Sequence, residues 1–211
     1  GSLMAEKKKS DVNLDWGWIC KVGLILFAIT LVCTALLAYT NSITSPIIAK
    51  QNEEANVEAQ KEVLPEADKF EQVEDLESKL SSLGSDASIV TEAYSAYKGD
   101  KLVGWAIKTT PSGYGGDVTI LTGISVDGKV EGISILSQSE TAGLGAKSTD
   151  PSFYGQYAGK NADEEITVVK GQTATDNQIE AITGATITSN AVTLGVNTAD
   201  QAAQILKEAA E

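Results

Sequence analysis

Residues 183–190 read Thr183-Gly184-Ala185-Thr186-Ile187-Thr188-Ser189-Asn190. This segment holds four hydroxyl side chains and a glycine that permits a turn or a close approach to a ligand. The apolar residues after it recur at intervals of three to four, which predicts a helix from about Thr188 to Ala209. Ser189 or Asn190 is a suitable N-cap, and the free N–H groups of the helix would face the preceding loop. The segment therefore predicts an anion site, although the same pattern is also typical of an ordinary loop that enters a helix.

The composition of the chain excludes several kinds of function. Its 211 residues include 29 acidic and 16 basic ones, and the formal net charge is -13. Because nucleic acids bind to basic surfaces, nucleic acid is not an expected partner. Histidine is absent, and both cysteines, Cys20 and Cys33, lie in an apolar N-terminal segment. We therefore expect no zinc, haem or iron–sulfur site in the rest of the chain, and no Ser-His or Cys-His nucleophile.

The apolar N-terminal segment is long enough to span a membrane. Residues 18–40 contain one charged side chain, that of Lys21, and exceed the roughly 20 residues that cross about 30 Å of hydrocarbon. Trp16, Trp18 and Tyr39 are aromatic residues of the kind found at membrane interfaces. The alternative is a cleaved signal peptide, but its apolar region is typically shorter and is followed by a small-residue cleavage site. We expect an uncleaved transmembrane helix over residues 18–40, embedded in a lipid bilayer.

The charges on the two sides of this helix differ in sign. Lysines at positions 7–9 precede it, whereas Glu53 and Glu54 follow it. Since cytoplasmic flanks are rich in lysine and arginine, we expect residues 1–17 in the cytoplasm. They begin with Gly1-Ser2-Leu3, which is typical of an expression-vector remnant. The C-terminal part of this single-pass protein is then expected on the extracytoplasmic side of the cell (inner) membrane.

Residues 41–87 form a charged segment that we interpret as a helical neck. Ala, Glu, Gln and Lys predict a helix over residues 47–63, which ends before Pro65. A second helix is predicted over residues 71–83, closed by Gly84. Such a neck is either a solvated spacer or a docking surface.

Residues 88–211 have the composition of a separate domain with strands. Turn residues separate four segments that are rich in β-branched and aromatic residues, at 89–97, 102–109, 118–126 and 130–136, and Asp127-Gly128 is the clearest hairpin turn. A short helix over 151–157, a strand over 166–169 and the terminal helix follow. Because the strands come first and the helices lie at the edges, we predict an α+β fold with an antiparallel sheet flanked by helices.

Three further glycine-containing segments precede Thr186. They are Gly113-Tyr114-Gly115-Gly116, Glu140-Thr141-Ala142-Gly143-Leu144-Gly145 and Tyr157-Ala158-Gly159-Lys160. Each alone is consistent with a tight connection next to a strand. Their order, together with Glu180 to Val192, resembles the FMN-binding domain found in the G subunit of the Rnf complex and in the C subunit of the sodium-pumping NADH:quinone reductase. The resemblance covers about residues 89–206, plus the membrane anchor.

The resemblance implies a covalently bound cofactor. Thr186 matches the threonine that carries FMN through a phosphoester in the family's segment, and Glu180 stands where the family usually has aspartate. A separate flavin transferase is implied as the attaching enzyme. The residues implied at the cofactor are Thr186 as the covalent site, with Thr183, Gly184, Ala185, Thr188, Ser189, Glu140, Thr141, Leu144, Gly145, Tyr114 and Gly115.

The function that the resemblance implies is electron transfer within a membrane complex. We expect the electron-carrying G subunit of an Rnf-type ferredoxin:NAD+ oxidoreductase, which couples electron flow to transport of Na+ or H+ and contains other membrane subunits. The C subunit of the quinone reductase, a stand-alone extracytoplasmic flavin carrier and a non-redox binding domain remain alternatives. Attachment through the phosphate leaves the isoalloxazine ring unmodified, so the ring keeps its redox chemistry.

Overall fold

The computed structural model describes residues 16–209, apart from the side chains of Ile47, Ala49 and Asn52. The lysines at positions 7–9 and the N-terminal remnant lie outside the described residues. The chain divides into two compact units, Gly1–Asn52 and Glu53–Glu211.

The first unit contains most of helix α1 (Trp16–Val63), which includes Pro46. Its apolar part, Trp16–Pro46, has a mean hydropathy of 2.4 and exposes its side chains, as a membrane-spanning helix does. The hydroxyl groups of Thr30 and Thr40 donate to backbone carbonyls one turn earlier, which satisfies these polar groups within the helix. Among residues 16–209 this is the one helix that is long and apolar enough to cross a membrane.

A five-stranded antiparallel sheet forms the centre of the second unit. Its strands follow in chain order as β1 (Lys69–Gln72), β2 (Val90–Lys98), β3 (Lys101–Thr109), β4 (Thr119–Ser125) and β5 (Val130–Ser137). The four strands expected from the sequence are β2 to β5, so the predicted meander is confirmed. Gly128 has a φ of 73° and donates its N–H to the carbonyl of Ser125 at 3.0 Å, which closes the expected hairpin between β4 and β5.

The helix expected over residues 71–83 is wrong. Strand β1 occupies residues 69–72, and only the short helix α2 (Leu76–Lys79) and 3-10 turns over Ser81–Ile89 follow. Strand β1 forms because its backbone pairs with β2, with Lys69 opposite Tyr97, while Phe70 packs against a buried cluster. These long-range contacts override the helix propensity of a segment rich in Glu and Lys.

Residues 53–87 belong to the same compact unit as the sheet, although the sequence suggested a division at residue 88. The last turns of α1 pack on one face of the sheet, where Val63 and Leu64 contact a cluster that includes Ala106 and Leu121. A Cβ on Gly123 would collide with the carbonyl oxygen of Val63, so the sheet has a glycine where the helix approaches it. The end of the neck is therefore a packed layer of the domain.

Helix α4 (Thr186–Glu208) covers the opposite face of the sheet. Adjacent residues of a strand point to opposite faces, so Trp105 and Ile107 face α4 while Ala106 faces α1. The buried side of α4 carries apolar residues at the spacing expected from the sequence: Val192, Val196, Ala199, Ala203 and Leu206. The sheet thus lies between two helical layers.

Shorter elements complete the second unit. Helix α3 (Pro151–Tyr154) continues as a 3-10 turn over Gly155–Tyr157, close to the expected short helix. Strand β6 (Thr167–Val169) was also expected, whereas its parallel partner β7 (Gln178–Glu180) was not. The predicted α+β fold is confirmed.

Asp200, a residue of α4, is only 3% exposed. Neither oxygen of its carboxyl group has a hydrogen-bond partner. Burial, and to a lesser extent nearby Asp163, raises the pKa of Asp200 to about 8. The folded state therefore holds a proton that the unfolded chain releases above about pH 4. The contribution of Asp200 to stability should therefore fall as the pH rises from about 4 to about 8, by up to about 1.4 kcal/mol per pH unit.

Replacing Asp200→Asn should remove this loss of stability, because an amide does not ionise. We expect the urea midpoint of the variant to exceed that of the wild type near pH 8, with the difference shrinking towards pH 4. Pulse proteolysis of the full chain in detergent measures it. Asp68→Asn, at an exposed position, is the matched control. An unchanged pH slope in Asp200→Asn would contradict the prediction.

Candidate functional site

A tight turn precedes α4. The N–H of Ala185 donates to the carbonyl of Ile182 at 2.9 Å, so Thr183 and Gly184 occupy the two central positions. Gly184 has a φ of 79°, a left-handed conformation that favours glycine at the third position of such a turn. Thr183 and Gly184 are exposed.

Helix α4 begins at Thr186, and Ala185 is its N-cap residue without a side-chain cap. The expectation that Ser189 or Asn190 caps the helix is therefore wrong. The first backbone bond of the helix joins the N–H of Ser189 to the carbonyl of Ala185 at 3.0 Å. The N–H groups of residues 186–188 precede this bond and have no acceptor within the helix. The helix start thus offers donors and a positive dipole end where an anion site was expected.

Ser189 fastens the turn to the helix. Its hydroxyl group accepts the N–H of Ile182 at 3.0 Å and donates to the carbonyl of Ala185 at 3.0 Å. Ser189 is fully buried. The network continues inward, where Thr193 donates to the carbonyl of Ser189 and lies 2.7 Å from the hydroxyl group of Tyr157. Burial raises the pKa of Tyr157, so this hydroxyl group stays neutral.

Three segments that were expected to contact the cofactor meet at the carboxylate of Glu140. Its Oε1 atom accepts the N–H groups of Tyr114 and Gly115, both at 2.9 Å. Its Oε2 atom accepts the hydroxyl group of Thr188, in the first turn of α4. Glu140 and Thr188 are both buried. The structure therefore brings together the glycine loop at 113–116, the segment at 140–145 and the start of α4.

The remaining residues of the 140–145 segment take different places. The carbonyl of Thr141 accepts the N–H groups of Leu144 and Ala146, so Thr141 forms the turn, with its side chain exposed. Leu144 lies over Gly184, since a Cβ on that glycine would be 3.2 Å from Cδ2 of Leu144. Gly145 is buried beside Glu140 and Thr188.

The four hydroxyl groups of the segment differ in their accessibility. Thr188 and Ser189 are 1% and 0% exposed, and both are engaged in the hydrogen bonds described above. Thr186 is half-buried at the first residue of α4, and Thr183 is exposed in the turn. Within this segment, the accessible hydroxyl groups are therefore those of Thr183 and Thr186.

Large apolar side chains are exposed on the same three segments. Tyr114 is 71%, Leu144 44% and Ile187 55% exposed. The sequence analysis missed Ile187. Its position is informative, because Ile187 is not one of the regularly spaced apolar residues on the side of α4 that faces the sheet. The site thus combines an accessible hydroxyl group, a helix N-terminus and apolar surface.

Gln156 was also missed. Its side-chain amide donates to the carbonyl of Glu180 at 3.3 Å and accepts the N–H of Glu180 at 2.8 Å. These bonds hold the backbone of Glu180, whose side chain remains exposed. No spacing rule connects residues 156 and 180, so this contact could be found only in the folded chain.

Loss of the Ser189 hydroxyl group should weaken the turn. Ser189→Ala leaves the N–H of Ile182 without its acceptor in a buried place, which should cost about 1–3 kcal/mol of unfolding free energy. Urea unfolding of the full chain in detergent measures the change. Ser152→Ala removes an exposed hydroxyl group and should change stability by no more than about 0.5 kcal/mol. Equal midpoints for the two variants would refute the role of Ser189.

Comparison with known proteins identifies the family. Residues 113–201 match the FMN-binding domain, and residues 18–63 match the RnfG N-terminal region. The crystal structure of NqrC from Shewanella oneidensis has the same fold, with a TM-score of 0.50 and 20% identity, over 56% of this chain and 61% of that chain.

Curated relatives are similar over most of their length. The G subunit of the Na(+)-translocating ferredoxin:NAD(+) oxidoreductase complex of Acetobacterium woodii is 45% identical over 205 residues, which cover 95% of this chain and 99% of that protein. The G subunit of the proton-translocating ferredoxin:NAD(+) oxidoreductase complex of Clostridium ljungdahlii is 38% identical over 78% of this chain and 80% of that protein. The chain therefore belongs to the RnfG family, the G subunits of Rnf-type ion-translocating oxidoreductase complexes, and contains that family's FMN-binding domain.

Proposed function

We propose that this chain is the electron-carrying G subunit of an ion-translocating ferredoxin:NAD(+) oxidoreductase complex, with FMN joined to Thr186 through a phosphoester. The names of the relatives from Acetobacterium woodii and Clostridium ljungdahlii support this complex. One of these relatives is named for Na+ and the other for protons, so either ion is compatible with the family. Other membrane subunits of the same complex are the proposed partners.

The accessibility of the four hydroxyl groups carries the choice of Thr186. An attaching enzyme has to reach the acceptor oxygen, which excludes the buried and hydrogen-bonded groups of Thr188 and Ser189. Thr183 and Thr186 remain. Thr186 is the first residue of α4, so a phosphate on its oxygen would lie beside the helix N–H groups and the positive end of the helix dipole. Thr183 is three residues earlier, in the turn, without this advantage.

The residues around Thr186 fit FMN. The helix start suits the phosphate, and the exposed side chains of Tyr114, Leu144 and Ile187 offer apolar and aromatic surface for a flat ring system. When bound, FMN supplies one- and two-electron chemistry at its isoalloxazine ring. Thr186 would hold the phosphate end, and the three exposed side chains would offer the surface on which the ring could lie.

A separate flavin transferase accounts best for the attachment. A phosphoester forms when the oxygen of Thr186 bonds to phosphorus, its proton leaves, and the bond from phosphorus to an activating nucleotide breaks. No imidazole is present in the chain to accept the proton, and both carboxylate oxygens of Glu140 already accept hydrogen bonds. We therefore assign the base and the activated flavin nucleotide to the transferase.

The covalent bond has a physical advantage on the outer side of a membrane. A flavin held without it at nanomolar affinity has only about -12 kcal/mol of binding free energy, and dissociated flavin would be lost.

Two observations favour a protein of the Rnf type over the alternatives. The match of residues 18–63 to the RnfG N-terminal region includes the apolar part of α1, which argues against a stand-alone carrier. The likeness to NqrC, at 20% identity, concerns the fold alone.

The proposed orientation places the N-terminus in the cytoplasm and the second unit outside. Protease added to spheroplasts should then remove an epitope placed after residue 209 and spare one placed before residue 16. Permeabilised spheroplasts are the control, in which both epitopes should be lost. Protection of the C-terminal epitope in intact spheroplasts would show the opposite orientation.

Thr186→Ala should abolish covalent flavin, because it removes the accepting oxygen. The folded structure should tolerate the change within about 0.5 kcal/mol, since Thr186 is only half-buried and the hydrogen bonds at the helix start come from other residues. The full chain is co-expressed with a flavin transferase and examined by fluorescence after denaturing electrophoresis and by peptide mass spectrometry. Thr183→Ala is the reciprocal variant and should keep the label. A label that persists in Thr186→Ala and disappears in Thr183→Ala would move the acceptor to the turn.

A further inference from the structure

Glu140 connects parts of the chain that are far apart in sequence. Its Oε1 atom accepts N–H groups from residues 25 and 26 positions earlier, and its Oε2 atom accepts a hydroxyl group from 48 positions later. Its own N–H donates to the side chain of Gln138 at 2.7 Å. The carboxylate is the acceptor in all three of its hydrogen bonds. Both oxygens are engaged within the protein, and Glu140 is buried.

Glycines allow the chain to pack closely around the carboxylate of Glu140. A Cβ on Gly113 would collide with Oε1 of Glu140, and a Cβ on Gly145 would lie 2.5 Å from Oε2 and 2.6 Å from Oγ1 of Thr188. A Cβ on Gly115 would collide with the carbonyl oxygen of Ser139. Glycines at these positions therefore let the loop at 113–116 and the segment at 140–145 close around one carboxylate.

These bonds hold the backbone segments that carry the exposed apolar side chains. Tyr114 donates its own N–H to Glu140, and Leu144 belongs to the segment that carries Glu140. Thr188 follows Thr186 by two residues in the first turn of α4. The carboxylate thus joins the backbone of Tyr114, and the segment that carries Leu144, to the first turn of α4 close to Thr186.

We propose that Glu140 is a positioning residue for the flavin: it holds the loop of Tyr114 and the segment of Leu144 against the start of α4, so that a ring system tethered at Thr186 lies against both side chains. Glu140 itself does not contact the flavin. The resemblance implied that Glu140 is among the residues at the cofactor, and the proposal gives it a positioning role there. The inference rests on the proposed attachment of FMN to Thr186.

The position of the side chains, and not the negative charge, is the essential property. A glutamine at position 140 can accept both N–H groups through its amide oxygen and donate its amide to the hydroxyl oxygen of Thr188. Alanine loses all three bonds. Valine at position 188 keeps the shape of threonine but removes the hydroxyl group, and serine restores it.

The test uses the full chain in detergent, co-expressed with a flavin transferase, and measures quenching of the flavin fluorescence by iodide at a temperature where every variant is folded. Thr188→Val and Glu140→Ala should carry covalent flavin but raise the quenching constant several-fold, with the midpoint potential shifted towards that of free FMN. Thr188→Ser and Glu140→Gln should resemble the wild type.

Thr198→Val is the matched control, because it removes another buried hydroxyl group of α4, one that donates to the carbonyl of Leu194 and does not bond to Glu140. It should lower stability without a change in quenching. Labelled Thr188→Val and Glu140→Ala with wild-type quenching would overturn the positioning role, and so would a rise of equal size in Thr198→Val. Absence of covalent flavin from the wild type would instead refute the proposed attachment, so the two failures are distinguishable.

Discussion

The carboxylate of Glu140, which accepts hydrogen bonds from two loop amides and one helix hydroxyl group, is the interaction on which the candidate site depends. A buried N–H group that loses its hydrogen-bond acceptor costs free energy. Gly113 and Gly145 lie so close to this side chain that a Cβ at either position would collide with a carboxylate oxygen. One acidic residue therefore connects two loops to the start of α4.

The sheet and its two helical layers provide the rigid base for this arrangement. Gly195 brings α4 so close to the sheet that a Cβ there would lie 2.8 Å from Oγ1 of Thr109 and from Cδ1 of Ile120. The end of α1 covers the other face in the same close manner. Because α4 is fixed along its length by this packing, its first turn has a defined position, and the hydroxyl network of Ser189 and Thr193 extends that order to the turn before it.

Elements that leave a periodic hydrophobic pattern or a turn motif in the sequence could be predicted. Elements that depend on contacts with distant parts of the chain could not. Strands β2 to β5 and the buried side of α4 follow from hydrophobic spacing and from the Asp-Gly turn. Strand β1 and strand β7 depend on pairing with partners elsewhere in the chain, so local propensity misses them. The same holds for the candidate site: the proposal of Thr186 as the FMN-carrying residue came from its motif, whereas the bonds of Glu140 and Gln156 exist only in the folded chain.

Strand β1 also affects how the sheet can interact with other chains. It forms one edge of the sheet, spans only four residues, and exposes Lys69, Glu71 and Gln72. An open strand edge invites pairing with strands of other chains, and a short edge with charged side chains opposes it. The short, charged strand β1 thereby opposes pairing of this edge of the sheet with a strand of another chain.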